Sequence, residues 1–335
     1  YQKIDRATEW IKTFHIENFA DQPKAYIDTY NFRNRHLFNN PHALLSNIIL
    51  RHIFACDVDE RAIETAKTNI WKEAIKLNPK SYNYKLLNSK NNRILPNLGF
   101  NLHCGDSLAD VPIELQIKII AEEHKEDIVA LHSIRKKYLE NTTNPEILTE
   151  SSGFVEKIRT RLKKEIPIEI ENPLFICCSF FFCWFDEHGN PLPQKVQGFS
   201  GIISNPPWEA IKPIKKEFAQ KDKGEMNVVQ FEKWFSGKLK TDDGFKNRWE
   251  VYQNFYERYN SYLSQQYHNQ GIGDPNYFKL FIERDIELLQ EDGFINILVP
   301  SGIQTDAGCS ELRRLLIEQN KLFEMTTFEN RGFTQ

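Results

Sequence analysis

Ser204-Asn205-Pro206-Pro207-Trp208-Glu209-Ala210 closes the apolar stretch Gly198 to Ile203 with a corner that a strand cannot continue. Two successive prolines have no N–H to give a neighbouring strand, and their rings fix φ. The Asn205 side chain and the Pro206 carbonyl thereby become fixed acceptors. An amino group on an aromatic ring carries two hydrogens. Two fixed acceptors take both and localise the nitrogen lone pair that otherwise delocalises into the ring. Trp208 offers a flat face for a planar base, a contact worth about 1–3 kcal/mol. Pro-Pro-Trp alone reads as a tight turn over a core tryptophan. Asn205 in front of it, at the end of an apolar strand, favours a site that presents a planar heteroaromatic amine as a nucleophile.

Upstream, His52 to Asp57 reads as a short buried strand ending in an acid. From Asp59 to Lys76 the apolar positions Ala62, Ile63, Ala66, Ile70 and Ala74 recur at helical spacing, with Asp59 as N-cap. Phe100 to Cys104 reads as a second strand, followed by Gly105-Asp106. Strand–helix–strand alternation is the signature of a parallel sheet. Open parallel sheets bind ligands beyond the carboxyl ends of their strands. Three such ends carry polar groups here: Asp57, Asp106 and Ser204-Asn205.

The remaining segments read more plainly. The first fifty residues suggest helices around a loop at 21–41. Residues 111–170 are charged and poor in aromatics, which predicts helices over 112–140 and 146–165, a solvated hairpin inserted into the sheet. Phe175 to Phe185 reads as a strand, Glu187 to Pro191 as a turn, and 209–275 as a long helical excursion. Pro275 to Gln290 is an amphipathic helix, Glu291 to Gly293 a turn, Phe294 to Val299 a strand and Glu311 to Gln319 a helix.

Composition excludes little but narrows the setting. A net charge of −3 over 335 residues is no footprint for indiscriminate nucleic-acid binding, although a local basic groove is compatible with it. The six cysteines form no Cys-x-x-Cys pair and sit mostly in apolar runs, which predicts buried free thiols in a reducing cytoplasm. The longest apolar run, Leu174 to Phe185, is too short to span a bilayer. Asp186-Glu187-His188 reads as a solvated turn rather than a metal site. Gly105-Asp106-Ser107-Leu108 spells a lipase/esterase signature, but no Asp-x-x-His follows the last histidine, His268.

Asn-Pro-Pro followed by an aromatic residue resembles the catalytic motif of amino-group methyltransferases, and the blocks around it resemble the gamma class of DNA adenine-N6 enzymes. Similarity is strongest to the methyltransferase part of single-chain (type IIG) restriction-modification enzymes. Ile53 to Trp71 resembles the family's second cofactor motif, which implies that Asp57, with Val58 beside it, holds the cofactor ribose. His103 to Leu108 resembles the third motif, which implies that Asp106, with Ser107, contacts the cofactor adenine. Asn276 to Gly302 resembles the helix and strand after the catalytic corner, placing Phe278 and Phe281 near that adenine.

The resemblance therefore implies a three-layer, Rossmann-like α/β fold that uses S-adenosylmethionine and acts on double-stranded DNA by base flipping, without metal. Asn205, Pro206, Pro207 and Trp208 are the catalytic residues it implies. Residues 1–110 would be the cofactor side, 111–170 a helical insertion and 171–335 the catalytic side. RNA or protein-glutamine methylation, or a non-catalytic scaffold, are the alternatives. The family's glycine-rich first motif has no counterpart, since no glycine precedes Gly99. With the later aromatic motif and the target-recognition domain also missing, the expectation is a segment of a longer protein that is inactive alone. No membrane partner is expected, and neither the oligomeric state nor the recognition sequence is signalled.

Overall fold

The computed structural model describes residues 48–77, 98–140, 146–220, 222, 224–319 and 322–328. The expected helices of the first fifty residues, the break at 141–145 and the chain's last residues lie outside that set, apart from a helical turn at 48–52. The elements follow in chain order. Strand β1 is Ala55–Asp57, helix α1 Glu60–Leu77 and strand β2 Leu102–Cys104. Helices α2 (Ile113–Glu123), α3 (Lys125–Glu140) and α4 (Glu146–Leu162) come next. Strand β3 is Phe199–Ser204, followed by helices α5 (Val228–Thr241), α6 (Asp243–Ser264) and α7 (Tyr277–Glu287). Strand β4 is Leu289–Ile297.

The chain divides into two compact units. The first contains residues up to Ser107 with Ile117–Leu162 and Asn172–Asn190, and the second Leu108–Gln116, Lys163–Glu171 and Pro191 onward. In the first, β1 and β2 pair in parallel, with Asp57 opposite Cys104. A parallel bridge from Asp106 to Pro173 extends the pairing beyond β2. The connection through α1 is the strand–helix–strand unit expected from the sequence. Helices α3 and α4 form a hairpin, but not a fully solvated one: Ile128, Leu131, Ile134, Tyr138, Ile158 and Leu162 are buried. The single helix expected over 112–140 is interrupted at His124.

The strand expected over Phe175–Phe185 is instead two short helical turns, Ile176–Ser179 and Phe181–Cys183. Amide hydrogen bonds reach back three or four residues throughout, as from Phe180 N to Ile176 O and Phe185 N to Phe181 O. Phe175 starts the run with φ of 50°. A short run buried on every side has no period that separates helix from strand. Packing decides it: the Phe180, Phe181 and Phe182 rings meet one another and the rings of Phe54, Phe100, His103 and His132 at centroid distances of 4.8–6.4 Å. The expectation of buried thiols holds for Cys177, Cys178 and Cys309 but not for Cys56, which is exposed on β1.

In the second unit β3 and β4 pair in parallel, Gly201 opposite Phe294 and Ser204 opposite Ile297. The turn expected at Glu291–Gly293 lies inside β4 as an irregularity, with Asp292 at φ of 63°. The Phe294 ring lies over Gly201, where an added Cβ would sit 2.6 Å from it. Helix α7 covers the other face of β4: Phe278 and Ile282 pack with Ile297, Val299, Ile303 and Leu312. Helices α5 and α6 enclose a separate aromatic cluster of Phe218, Phe231, Trp234, Phe235, Phe245, Trp249 and Tyr252. Both are capped by side chains, α5 by a reciprocal Asn227–Gln230 box and α6 by Asp242.

Segment 108–116 is fastened into this unit by polar groups. The Tyr262 and Tyr267 hydroxyls donate to the Asp110 and Leu108 carbonyls at 2.8 and 3.0 Å. Arg284 of α7, 1% exposed, pairs with the equally buried Asp110 at 3.2 Å and with Glu287 at 2.6 Å. Removing one partner of a buried pair strands the other charge. Arg284→Ala is expected to cost about 3–5 kcal/mol in urea unfolding. Lys246→Ala, which breaks the exposed 3.9 Å pair with Glu250, is expected to cost less than about 1 kcal/mol. Equal losses would contradict the structural weight given to Arg284.

Candidate active site

The corner is built where β3 runs out. The Ser204 carbonyl accepts from Leu298 N at 3.0 Å, the ladder's last rung. Pro206 and Pro207 then have no N–H to extend it. Asn205 is exposed, Pro206 buried and Pro207 exposed, so the asparagine faces outward from an anchored proline. Trp208 is 48% exposed. Its ring nitrogen Nε1 reaches the Leu298 carbonyl at 3.4 Å, and its own carbonyl accepts from Asn276 Nδ2 at 3.1 Å.

The chain beyond the tryptophan is held as a short ribbon against the start of α7. Ala210 and Asn276 form an antiparallel bridge. Ile211 N donates to Pro275 O at 2.7 Å, and Tyr277 N to Glu209 O at 3.2 Å. Each end of residue 208 is thus tied to a different segment, ring to the end of β4 and main chain to α7. The outer face of the strand pair stays open: Ile203 is 85% and Phe294 63% exposed.

Asp57 and Asp106 stand together in the first unit, at the ends of neighbouring strands. The Asp57 carbonyl accepts from Gly105 N at 2.9 Å, while its Oδ1 accepts from Asp59 N at 2.8 Å and so holds an exposed carboxylate in place before α1. Val58 beside it is 71% exposed. Asp106 N donates to Asn172 O at 2.8 Å, and Leu174 N to Asp106 O at 3.0 Å. Gly105 permits this approach, since a Cβ there would lie 2.9 Å from the Leu174 backbone. Arg159 of α4 fixes the same segment through the Pro173 and Leu174 carbonyls and the Asn172 side chain, at 2.9–3.1 Å. Ser107 is buried. Phe278 sits in the core of the second unit, and Phe281, one turn away, is half-buried. Among the described residues no group of three or more His, Cys, Asp or Glu is placed to hold a metal. No described helix is long and apolar enough to cross a membrane.

Sequence reasoning missed Asn172, Asn276 and Asp285. None has a local signal, because each acts across a long sequence separation. Asp285 lies on α7 under the end of β3, 5% exposed. Burial pushes its carboxyl up to about 7, opposed by a hydrogen bond from the Ser204 hydroxyl and by the Arg284 charge. Oδ2 has no hydrogen-bond partner among the described residues. An acid with a raised folded pKa favours the fold while protonated. That contribution is complete below the unfolded value near 4 and is lost as pH rises through about 7. Asp285→Asn keeps the neutral form at every pH. Its melting temperature is therefore expected to rise relative to wild type between about pH 5 and pH 8, with little change below about pH 4. A pH-independent difference would contradict this assignment.

Comparison with known proteins follows the same lines. The profile of the Eco57I restriction-modification methylases matches residues 51–263 and 249–333. A putative type II restriction enzyme and methyltransferase of Methanocaldococcus jannaschii is 23% identical over 290 residues, covering 80% of this chain and 23% of the relative. The chain thus spans about a quarter of that protein's length. No solved structure matches. On the extent of the profile match, the chain belongs to the Eco57I family of restriction-modification methylases.

Proposed function

We propose that the protein transfers a methyl group from S-adenosylmethionine to the N6 amino group of adenine in double-stranded DNA, as the modification part of a restriction-modification enzyme. The observation that carries this reading is the outward-facing Asn205 at the end of β3, followed by a buried proline and a tryptophan tied at both ends. The two parallel strand pairs, each with a covering helix, are in this reading parts of a Rossmann-like three-layer sheet. Residues 1–110 form its cofactor side, 111–170 a helical insertion and 171–335 its catalytic side.

The Asn205 side-chain oxygen and the Pro206 carbonyl accept the two amino hydrogens, which turns the nitrogen lone pair out of the ring plane. Pro207 keeps that backbone from relaxing, and Trp208 stacks on the flipped base. Asp57, with Val58 beside it, holds the cofactor's ribose hydroxyls. Its exposed carboxylate, pinned by Asp59 N, fits a diol. Asp106 and Ser107 meet the adenine amino group. Bound there, S-adenosylmethionine would supply an electrophilic methyl group on a sulfonium sulfur, with a neutral thioether as the leaving group. The amino proton leaves to solvent after the new bond forms, so no strong general base is needed before attack.

Two substitutions in the complete natural gene product separate the roles. Asn205→Ala is expected to lower kcat by about a hundredfold or more while cofactor affinity stays within about twofold, since it removes an interaction that matters in the transition state. Asp57→Ala is expected to weaken cofactor binding by roughly tenfold or more, the loss of a charge-assisted hydrogen bond. Normal turnover by the first variant, or unchanged affinity in a calorimetric titration of the second, refutes the corresponding role. Methyl transfer to RNA or protein but not to DNA would redirect the reading to those amines.

A further inference from the structure

Asn276 occupies the N-cap position of α7, with φ −132° and ψ 132°, yet its side chain makes no capping hydrogen bond. Asparagine is among the best N-cap residues. The other two long helices of the same unit use their caps: Asn227 accepts from Gln230 N at 3.0 Å, and Asp242 from Phe245 N at 3.0 Å. At Asn276 the amide is turned away to donate to the Trp208 carbonyl, 68 residues earlier. That carbonyl can only accept, so the NH₂ must face it and the orientation of the amide is settled. Oδ1 is left shielded from solvent and without a partner. The residue therefore serves neither its own helix nor its own hydrogen-bonding capacity.

What it does serve is the corner. In Asn205-Pro206-Pro207-Trp208 the proline rings fix two successive φ angles, but not the orientation of the Trp208 peptide. Asn276 Nδ2 fixes it at the main chain, 3.1 Å from the carbonyl. The Leu298 carbonyl holds the ring tip. The Ala210–Asn276 bridge and Gln270 Oε1, which accepts from Asn276 N at 3.3 Å, keep the asparagine itself in place. We infer that Asn276 is a positioning residue for methyl transfer: it fixes the plane of Trp208 on which the acceptor base stacks, through a hydrogen bond taken from the start of α7. The inference rests on the reading of Asn205–Trp208 as the methyl-acceptor corner.

The test uses the complete gene product with Asn276→Asp, Asn276→Ala, Asn227→Ala and Asn205→Ala. Aspartate is isosteric, cannot donate when ionised, and is itself a good cap. Asn276→Asp is therefore expected to lower kcat per folded molecule about 10- to 100-fold, the scale of a small misplacement of reacting groups, with the melting temperature measured alongside. Cofactor affinity is expected to stay within about twofold, because the change removes a hydrogen bond to the Trp208 main chain and touches neither Asp57 nor Asp106. Asn276→Ala should lose kcat similarly. Asn227→Ala should do the opposite, lowering the melting temperature with kcat per folded molecule unchanged. Wild-type kcat in both Asn276 variants overturns the inference, as does a loss of kcat that only follows a loss of folded protein. Full turnover by Asn205→Ala instead removes the reading on which the inference rests, so the two failures are told apart.

Discussion

The β3–β4 ladder stops at Ser204, because two of the next three backbone nitrogens, those of Pro206 and Pro207, carry no hydrogen to extend it. Everything around the corner answers that constraint. Leu298 N takes the last carbonyl of β3, and the Leu298 carbonyl faces the Trp208 ring nitrogen. The chain then cannot continue as strand, so it leaves sideways as a ribbon against the start of α7. The same helix contributes Asp285 beneath Ser204, Phe278 to the core and Arg284 to the buried pair with Asp110. One helix thus carries the support for the end of β3, for the tryptophan and for segment 108–116.

The first unit solves a related problem differently. Two three-residue strands hold Asp57 and Asp106 at their ends. Strands that short gain little from their own hydrogen bonds, and the acids are positioned by side chains and glycine. Gly105 lets the Asn172–Leu174 segment approach, and Arg159 fastens that segment by three hydrogen bonds. Beneath them the Phe180–Phe182 rings and the buried face of the α3–α4 hairpin supply the apolar mass. The helices that read as an insertion are thereby part of what holds the acids still.

How much of this was legible follows from the range of each signal. Strand β1, helix α1, strand β2 and strand β3 announce themselves by local pattern, and so does the corner, because consecutive prolines act on their own backbone. The Phe175–Phe185 run was misread because a fully buried segment has no amphipathic period, and its helical turns are set by ring packing. The Glu291–Gly293 turn was seen, but parallel pairing on both sides of it absorbs it into β4. Asn276 and Asp285 were invisible for another reason. A polar residue opening a helix looks like a cap and an acid within an amphipathic helix looks solvated, until the structure places one against Trp208 and the other under Ser204.

The measurement that tests the central claim most directly is chemical. The complete natural gene, and the same gene carrying Asn205→Ala, are expressed in a host that lacks DNA methylation, and the host DNA is digested to nucleosides for mass spectrometry. The account predicts N6-methyladenine with the wild-type gene and none with the variant. DNA without N6-methyladenine in the presence of folded, cofactor-binding protein, or equal amounts from both genes, would contradict it.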